Sequence, residues 1–259
     1  MERQFRALVN LLADCQLEVV DEIFRKGPAE SGEHVSVGRR WAGGFVDRED
    51  PRIGFEPISF SSIPDFSAVI SKWFSEYPRL SSTANLYLFG KHNSYLDSDN
   101  AFLGVMQALE AFHRTFHPGA FMPEELYKLE IRKSLFDAIP AATPEGLKDR
   151  LKSSIKYGYE FSLLRRLEEL TDVLPKDCVF DTVRDKKFRV RSKDTRNSIT
   201  HQIPNPEHPP MNDGELYSAT LRWREVLFAL ILQRLNIPDI LIVKAVKCLK
   251  RSEGTYIPY

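Results

Sequence analysis

The sequence predicts a mainly α protein, a helical bundle preceded by a smaller, irregular α+β N-terminal region. Three observations predict it. From residue 96 onward, apolar residues recur at helical spacing in one segment after another, and prolines and glycines separate the segments. Residues 29 to 65 are rich in Gly, Pro, Ser and charge and show no helical period. Hydrophobic residues make up 42% of the 259 positions, enough to fill a core. These readings divide the chain into a connecting α+β region, 1–92, and a bundle, 93–259.

Each element follows from local pattern. Met1 to about Phe24 carries Phe5, Leu8, Leu12, Val19 and Ile23 at helical spacing, which predicts an amphipathic helix stopped by Gly27-Pro28. HVSVG and RWAGGFV read as short extended pieces. DFSAVISKWFSEYP predicts a short helix ended by Pro78, and NLYLFG, 85–90, a strand. SDNAFLGVMQALEAFHRTFHPG starts on N-cap residues and runs Phe102, Met106, Leu109, Phe112 and Phe116 along one face before Pro118-Gly119. PEELYKLEIRKSLFDAIP places proline in the first turn, and TPEGLKDRLKSSIK places Thr143 at the N-cap. YEFSLLRRLEELTDVLP carries Leu163, Leu167, Leu170 and Leu174 on one stripe.

A basic helix is expected from about Asp185 to Ile203, followed by the polar loop PNPEHPPMNDG. The helix after it, ELYSATLRWREVLFALILQRLN, has two apolar stripes offset by about 140°, the mark of a helix central to a bundle or shared with a second subunit. PDILIVKAVKCLKR closes the chain as a short helix.

Several functional classes lose their usual support. No run of eighteen apolar residues occurs and the N-terminus lacks a continuous apolar core, so a cytoplasmic protein with no membrane partner is expected. Cys15, Cys178 and Cys248 lie far apart, without a metal-binding or disulfide pattern. Phosphate-loop, dinucleotide, serine-hydrolase and zinc-protease motifs are all absent from the sequence. The 36 basic and 36 acidic residues cancel, which leaves nucleic-acid affinity to local patches. One such patch, Arg184 to Arg196, has seven Lys/Arg against two Asp.

Two clusters could carry chemistry. Glu110, His113 and His117 share one face of a helix, as metal ligands would, although Glu110 pairing with Arg114 and histidines favoured by the helix dipole explain the same residues. Arg39-Arg40-Trp41 could stack on a base, or could be an ordinary loop around one tryptophan. The stretch KDTRNSITHQIP holds Arg196, Asn197 and His201, the inventory for metal-free phosphodiester chemistry. An imidazole moves the proton, a guanidinium holds the phosphate, and the amide orients the imidazole or contacts the phosphate. On a straight helix Asn197 and His201 lie about 40° apart but Arg196 and His201 about 140° apart. Their convergence requires a long reach by Arg196, a loosened helix end, or a second copy across a two-fold axis.

DTRNSITH, set in a helical bundle that opens with FLGVMQALEAFHR and continues into a long apolar helix, resembles the HEPN superfamily, and most closely its ApeA-like branch. The resemblance covers roughly residues 96 to 250. It implies a metal-independent endoribonuclease that needs no cofactor, acts as a homodimer, and works in antiphage defence or a toxin system, with a possible antitoxin or regulatory partner. It assigns Arg196, Asn197 and His201 to the catalytic motif. Glu110 is a supporting candidate from the first bundle helix, and Lys186, Lys187, Arg189, Arg191 and Lys193 are expected to attract the RNA backbone. The alternatives are a nuclease-inactive RNA-binding or dimerisation module and a metal-dependent enzyme using Glu110, His113 and His117.

Overall fold

The computed structural model describes residues 2–13, 17–29, 32–43, 58, 60–92, 96–178, 181–202 and 209–254. Helix α1, Glu2–Ala13, precedes an antiparallel hairpin of β1, Leu17–Ala29, and β2, Gly32–Gly43. Then come α2, Phe66–His92, and α3, Ser98–Phe116. A helical segment follows as α4, Glu124–Tyr127, a π turn over Lys128–Arg132, and α5, Lys133–Asp137. The rest is α6, Glu145–Lys156; α7, Leu163–Asp172; α8, Asp181–Arg184; α9, Lys186–His201; α10, Asp213–Arg234; and α11, Asp239–Gly254. The architecture is the expected mainly α bundle.

Helix α10 is the axis. Trp223 and every residue from Glu225 to Leu232 are buried, as the two offset stripes require. It packs on α3, α11 and α2, and α3 in turn packs on α2 and α7. One continuous apolar core joins Leu8, Leu11 and Leu12 of α1 and Trp73 of α2 to Phe102 of α3 and Phe228 of α10. The boundary expected at residues 92 and 93 falls between α2 and α3, whose buried residues share this core.

Three local expectations fail for physical reasons. The first helix stops at Ala13, and LEVVDEIF belongs to β1. Val19, Val20, Ile23 and Phe24 have helical spacing, but as β-branched and aromatic residues they favour a strand, and here that preference wins with the pairing to β2. Gly27-Pro28 accordingly lies inside β1, near the hairpin end, rather than stopping a helix. Second, Pro78 does not end α2, and NLYLFG is helix rather than strand. Val69, Trp73, Glu76, Leu80, Thr83 and Tyr87 form one buried stripe that runs straight through the proline. An interior proline costs a helix about 3 kcal/mol, whereas each large apolar side chain buried along the stripe returns about 1.5–3 kcal/mol. Third, Pro144 rather than Thr143 sits at the start of α6.

The hairpin places Arg39 opposite Glu22, Arg40 opposite Asp21 and Trp41 opposite Val19, so the candidate base-stacking triplet lies on a paired strand and not in a loop. Cys15, Ile203 and most of the loop before α10 lie outside the described residues.

Helix α9 is polar, yet it is seated in the bundle, and hydrogen bonds do the seating. Arg189, Ser192 and Thr195 form its buried face. Trp223 Nε1 donates to Ser192 Oγ at 3.0 Å, and the Met211 backbone N–H donates to Thr195 Oγ1 at 3.1 Å. Arg191 grips Glu215 through two bonds of 2.7 Å, while Glu215 also closes the capping box that starts α10. Together these contacts set the rotation of α9 about its axis. Ser192→Ala strands a buried indole N–H and should cost about 1–3 kcal/mol, read as a lowered midpoint in denaturant unfolding followed by helical circular dichroism.

Candidate active site at the end of helix α9

Arg196, Asn197 and His201 occupy the last two turns of α9. The helix ends immediately beyond them because Gln202 turns left-handed, at φ 53°, and its N–H donates to the Ser198 carbonyl at 2.7 Å. That conformation is unfavourable for a residue with a Cβ. His201 is thereby held at the C-terminal edge, exposed to solvent.

Arg196 sits at the border of the buried face, one-third exposed. Its Nη1 donates to Asn197 Oδ1 at 3.2 Å, and its Nη2 forms an ion pair of 3.9 Å with Glu110 Oε2 on α3. The Asn197 amide oxygen thus contacts the guanidinium rather than the imidazole among the described residues. Among the described residues no hydrogen bond joins Arg196 to His201. Thr200 bonds back to the Arg196 carbonyl at 2.8 Å, a local contact within the helix.

Glu110 is more than a neighbour of the motif. Arg114 Nε donates to its Oε1 at 3.1 Å, as the spacing of the two residues suggests, so Glu110 carries two cations at once. Arg114 also bonds Glu160 at 2.8 Å, and Glu160 lies 3.4 Å from Arg166. A chain of alternating charge thus runs from Arg196 into the protein.

The basic stretch divides into exposed and engaged members. Lys186 and Lys187 are exposed. Lys193 pairs with adjacent Asp194 at 2.8 Å and Arg191 is held by Glu215. Arg189 departs furthest from the expectation: it is buried, bonded to Thr171 at 3.3 Å and to Glu168 at 3.5 Å, and it does not present its charge to a nucleic acid. A cleft of about 660 Å³ opens between the first turns of α9 and α10, lined by Lys187, Arg191 and Arg222 among others, away from the motif.

The rival metal cluster is rearranged. Glu110 points into the Arg196 pair, and the third group near His113 and His117 is Glu169 of α7, with potential ligand atoms of the three within 4.8 Å of one another. His113 is fully buried. Arg166 Nη1 donates to its Nδ1 at 3.0 Å, so the ring proton lies on Nε2 and is donated to Glu169 at 2.9 Å. A metal on Nε2 would move that proton to Nδ1, against a guanidinium that cannot accept it. The donor set therefore fits a hydrogen-bonded core histidine better than a metal ligand.

Arg166, which no sequence motif marks, is the hub of this cluster. Besides His113 it bonds the Phe161 carbonyl at 3.1 Å and the Gly119 carbonyl at 3.2 Å. Gly119 has φ 67°, and a Cβ there would stand 2.5 Å from the guanidinium, so only glycine admits the contact. Its one sequence signal is position: Arg166 falls on the leucine face of α7, between Leu163 and Leu170.

Burial holds the His113 imidazole below its ordinary value of 6.5, with charges from His117 and Arg166 adding to the effect and the Glu169 bond opposing it. Burial also lowers His117, where Arg234 adds and Glu169 opposes. Below that ordinary value the unfolded chain takes up protons that the fold resists, so this stability is complete above it and is lost as pH falls. The thermal midpoint should drop between about pH 7.5 and pH 5.5, and the drop should be shallower in His113→Gln.

The sequence model of the Apea-like HEPN family matches residues 103–239, from the first turns of α3 to the start of α11. No curated protein and no solved structure gives a significant match. No helix among the described residues is long and apolar enough to cross a membrane. The matched span contains the whole of α9 with its terminal Arg196, Asn197 and His201, together with the helices that anchor it. The chain belongs to the Apea-like HEPN family.

Proposed function

We propose that the protein is a metal-independent endoribonuclease whose active site is assembled from the α9 ends of two subunits. HEPN membership supports a nuclease or RNA-binding role in general. The observation that carries the finer reading is the end of α9 itself. An anchored helix terminates on an exposed histidine, with an arginine five residues earlier that already faces a carboxylate.

In this mechanism Arg196 holds the scissile phosphate and offsets charge that builds on it in the transition state. His201 removes the proton from the ribose 2′-OH, whose oxygen attacks phosphorus. The P–O bond to the 5′ oxygen breaks, and that oxygen takes a proton from the second subunit's histidine or from water. The products are a 2′,3′-cyclic phosphate and a 5′-OH. Asn197 keeps the guanidinium in place.

The site is placed across two subunits because Arg196 is engaged by Asn197 and Glu110 rather than turned to its own His201. Arg196 and His201 project about 140° apart on a regular helix, and α9 is helical through His201. A two-fold pairing of α9 ends sets one chain's Arg196 beside the other's His201. Lys186 and Lys187 supply attraction to the RNA backbone that salt weakens. The setting proposed is antiphage defence or a toxin system, with an antitoxin or another regulator restraining the activity.

The test is cleavage of a labelled single-stranded RNA in EDTA. Wild type should cut it, and His201→Ala and Arg196→Ala should each lower the rate by about 10²–10⁴-fold while retaining the wild-type circular dichroism spectrum. Loss of wild-type cutting in EDTA contradicts a metal-free mechanism. RNA binding without any cutting favours a nuclease-inactive binding module.

A further inference from the structure

The ion pair between Arg196 and Glu110 raises a question that the catalytic reading leaves open: an arginine meant for a phosphate already faces an anion. We infer that Glu110 is a positioning counter-ion which holds Arg196 in the absence of RNA and gives it up to the phosphate when RNA binds. The inference rests on the ribonuclease reading and concerns how its arginine is kept ready.

Three features of the geometry support an exchange rather than a permanent bridge. The Glu110–Arg196 contact is long, 3.9 Å, while Glu110 to Arg114 is 3.1 Å. When the phosphate takes Arg196, Glu110 therefore keeps its shorter partner and is not left as an unpaired carboxylate. Arg196 is one-third exposed and Glu110 about one-quarter, so both can be reached from solvent. Finally, the other anchor on the guanidinium, Asn197 Oδ1, uses Nη1, so Nη2 is the nitrogen that changes partner.

The carboxylate should also select. A weakly held or neutral ligand does not displace Glu110, whereas a phosphodiester in bidentate contact does. Glu110 thus lowers affinity for RNA while fixing the orientation of Arg196. A residue with a merely structural role has no reason to weaken RNA binding. Glu110→Gln removes the competing charge and keeps the side chain's size and its ability to accept from Arg114.

The experiment measures binding of a fluorescein-labelled single-stranded RNA 20-mer by fluorescence anisotropy. A His201→Ala background prevents cleavage during the measurement. Glu110→Gln should tighten binding by about two- to fivefold, the range expected for releasing a partly exposed ion pair. Glu110→Ala should act in the same direction, and Arg196→Ala should erase the gain from either change. Glu110→Gln that leaves affinity unchanged or weakens it overturns the counter-ion role while Arg196-dependent binding survives. A gain that persists without Arg196 overturns it too. RNA binding that does not depend on Arg196 in any variant overturns the ribonuclease site as well, and so separates the two failures.

Discussion

The rotation of α9 about its own axis is the constraint on which the candidate site depends. The helix is too polar to be oriented by an apolar stripe, so specific hydrogen bonds orient it. Trp223 N–H reaches Ser192, the backbone of Met211 reaches Thr195, and Arg191 closes on Glu215. All three contacts run to α10 or to the residues that start it, and α10 is the most buried element of the bundle. The rigid core thus fixes where Arg196 and His201 point. If α9 turned by one residue, about 100°, Ser192 would lose the indole and Arg196 would lose Glu110.

A second polar network supports the C-terminal end of α3, one turn beyond Glu110. Buried Arg166 ties α7 to His113, to the turn at Gly119 and to the Phe161 carbonyl, and so closes the excursion of α4 to α6 onto the bundle. Every hydrogen-bond partner of the guanidinium accepts, as burial of that charge requires. The same arrangement fixes the tautomer of His113 and so works against metal binding there. Arg114 and Glu160 connect this network to Glu110, which places a buried structural cluster and the candidate catalytic arginine in one run of alternating charge.

Much of this architecture is legible in the chain because local and tertiary signals agree. SDNAFLGV does open α3, with the cap one residue earlier than that string, at Asp97; Asp185 caps α9, and the doubly striped sequence of α10 does become the central helix. The failures occur where signals compete. LEVVDEIF has helical spacing but β-branched and aromatic residues, and pairing with β2 decides for the strand. Pro78 is a strong local stop that the buried stripe of α2 overrides. The basic stretch misleads for another reason: composition counts charge but not partners, and Arg189 and Arg191 are spent on Thr171, Glu168 and Glu215. The motif Arg196-Asn197-His201 is visible as a string, and helical geometry already separates the arginine from the histidine. The roles of Glu110 and Asn197 as partners of Arg196 emerge only from packing.

A site completed across a two-fold axis makes a demand that a site within one chain does not. Arg196→Ala and His201→Ala subunits, each inactive alone, can be mixed, allowed to exchange and assayed on RNA. If Arg196 of one chain works with His201 of the other, random pairing should restore activity well above either component, up to about a quarter of wild type where water serves as the acid, since half the dimers are mixed and each retains one Arg196–His201 pair. A mixture no more active than its separate components would contradict the shared site.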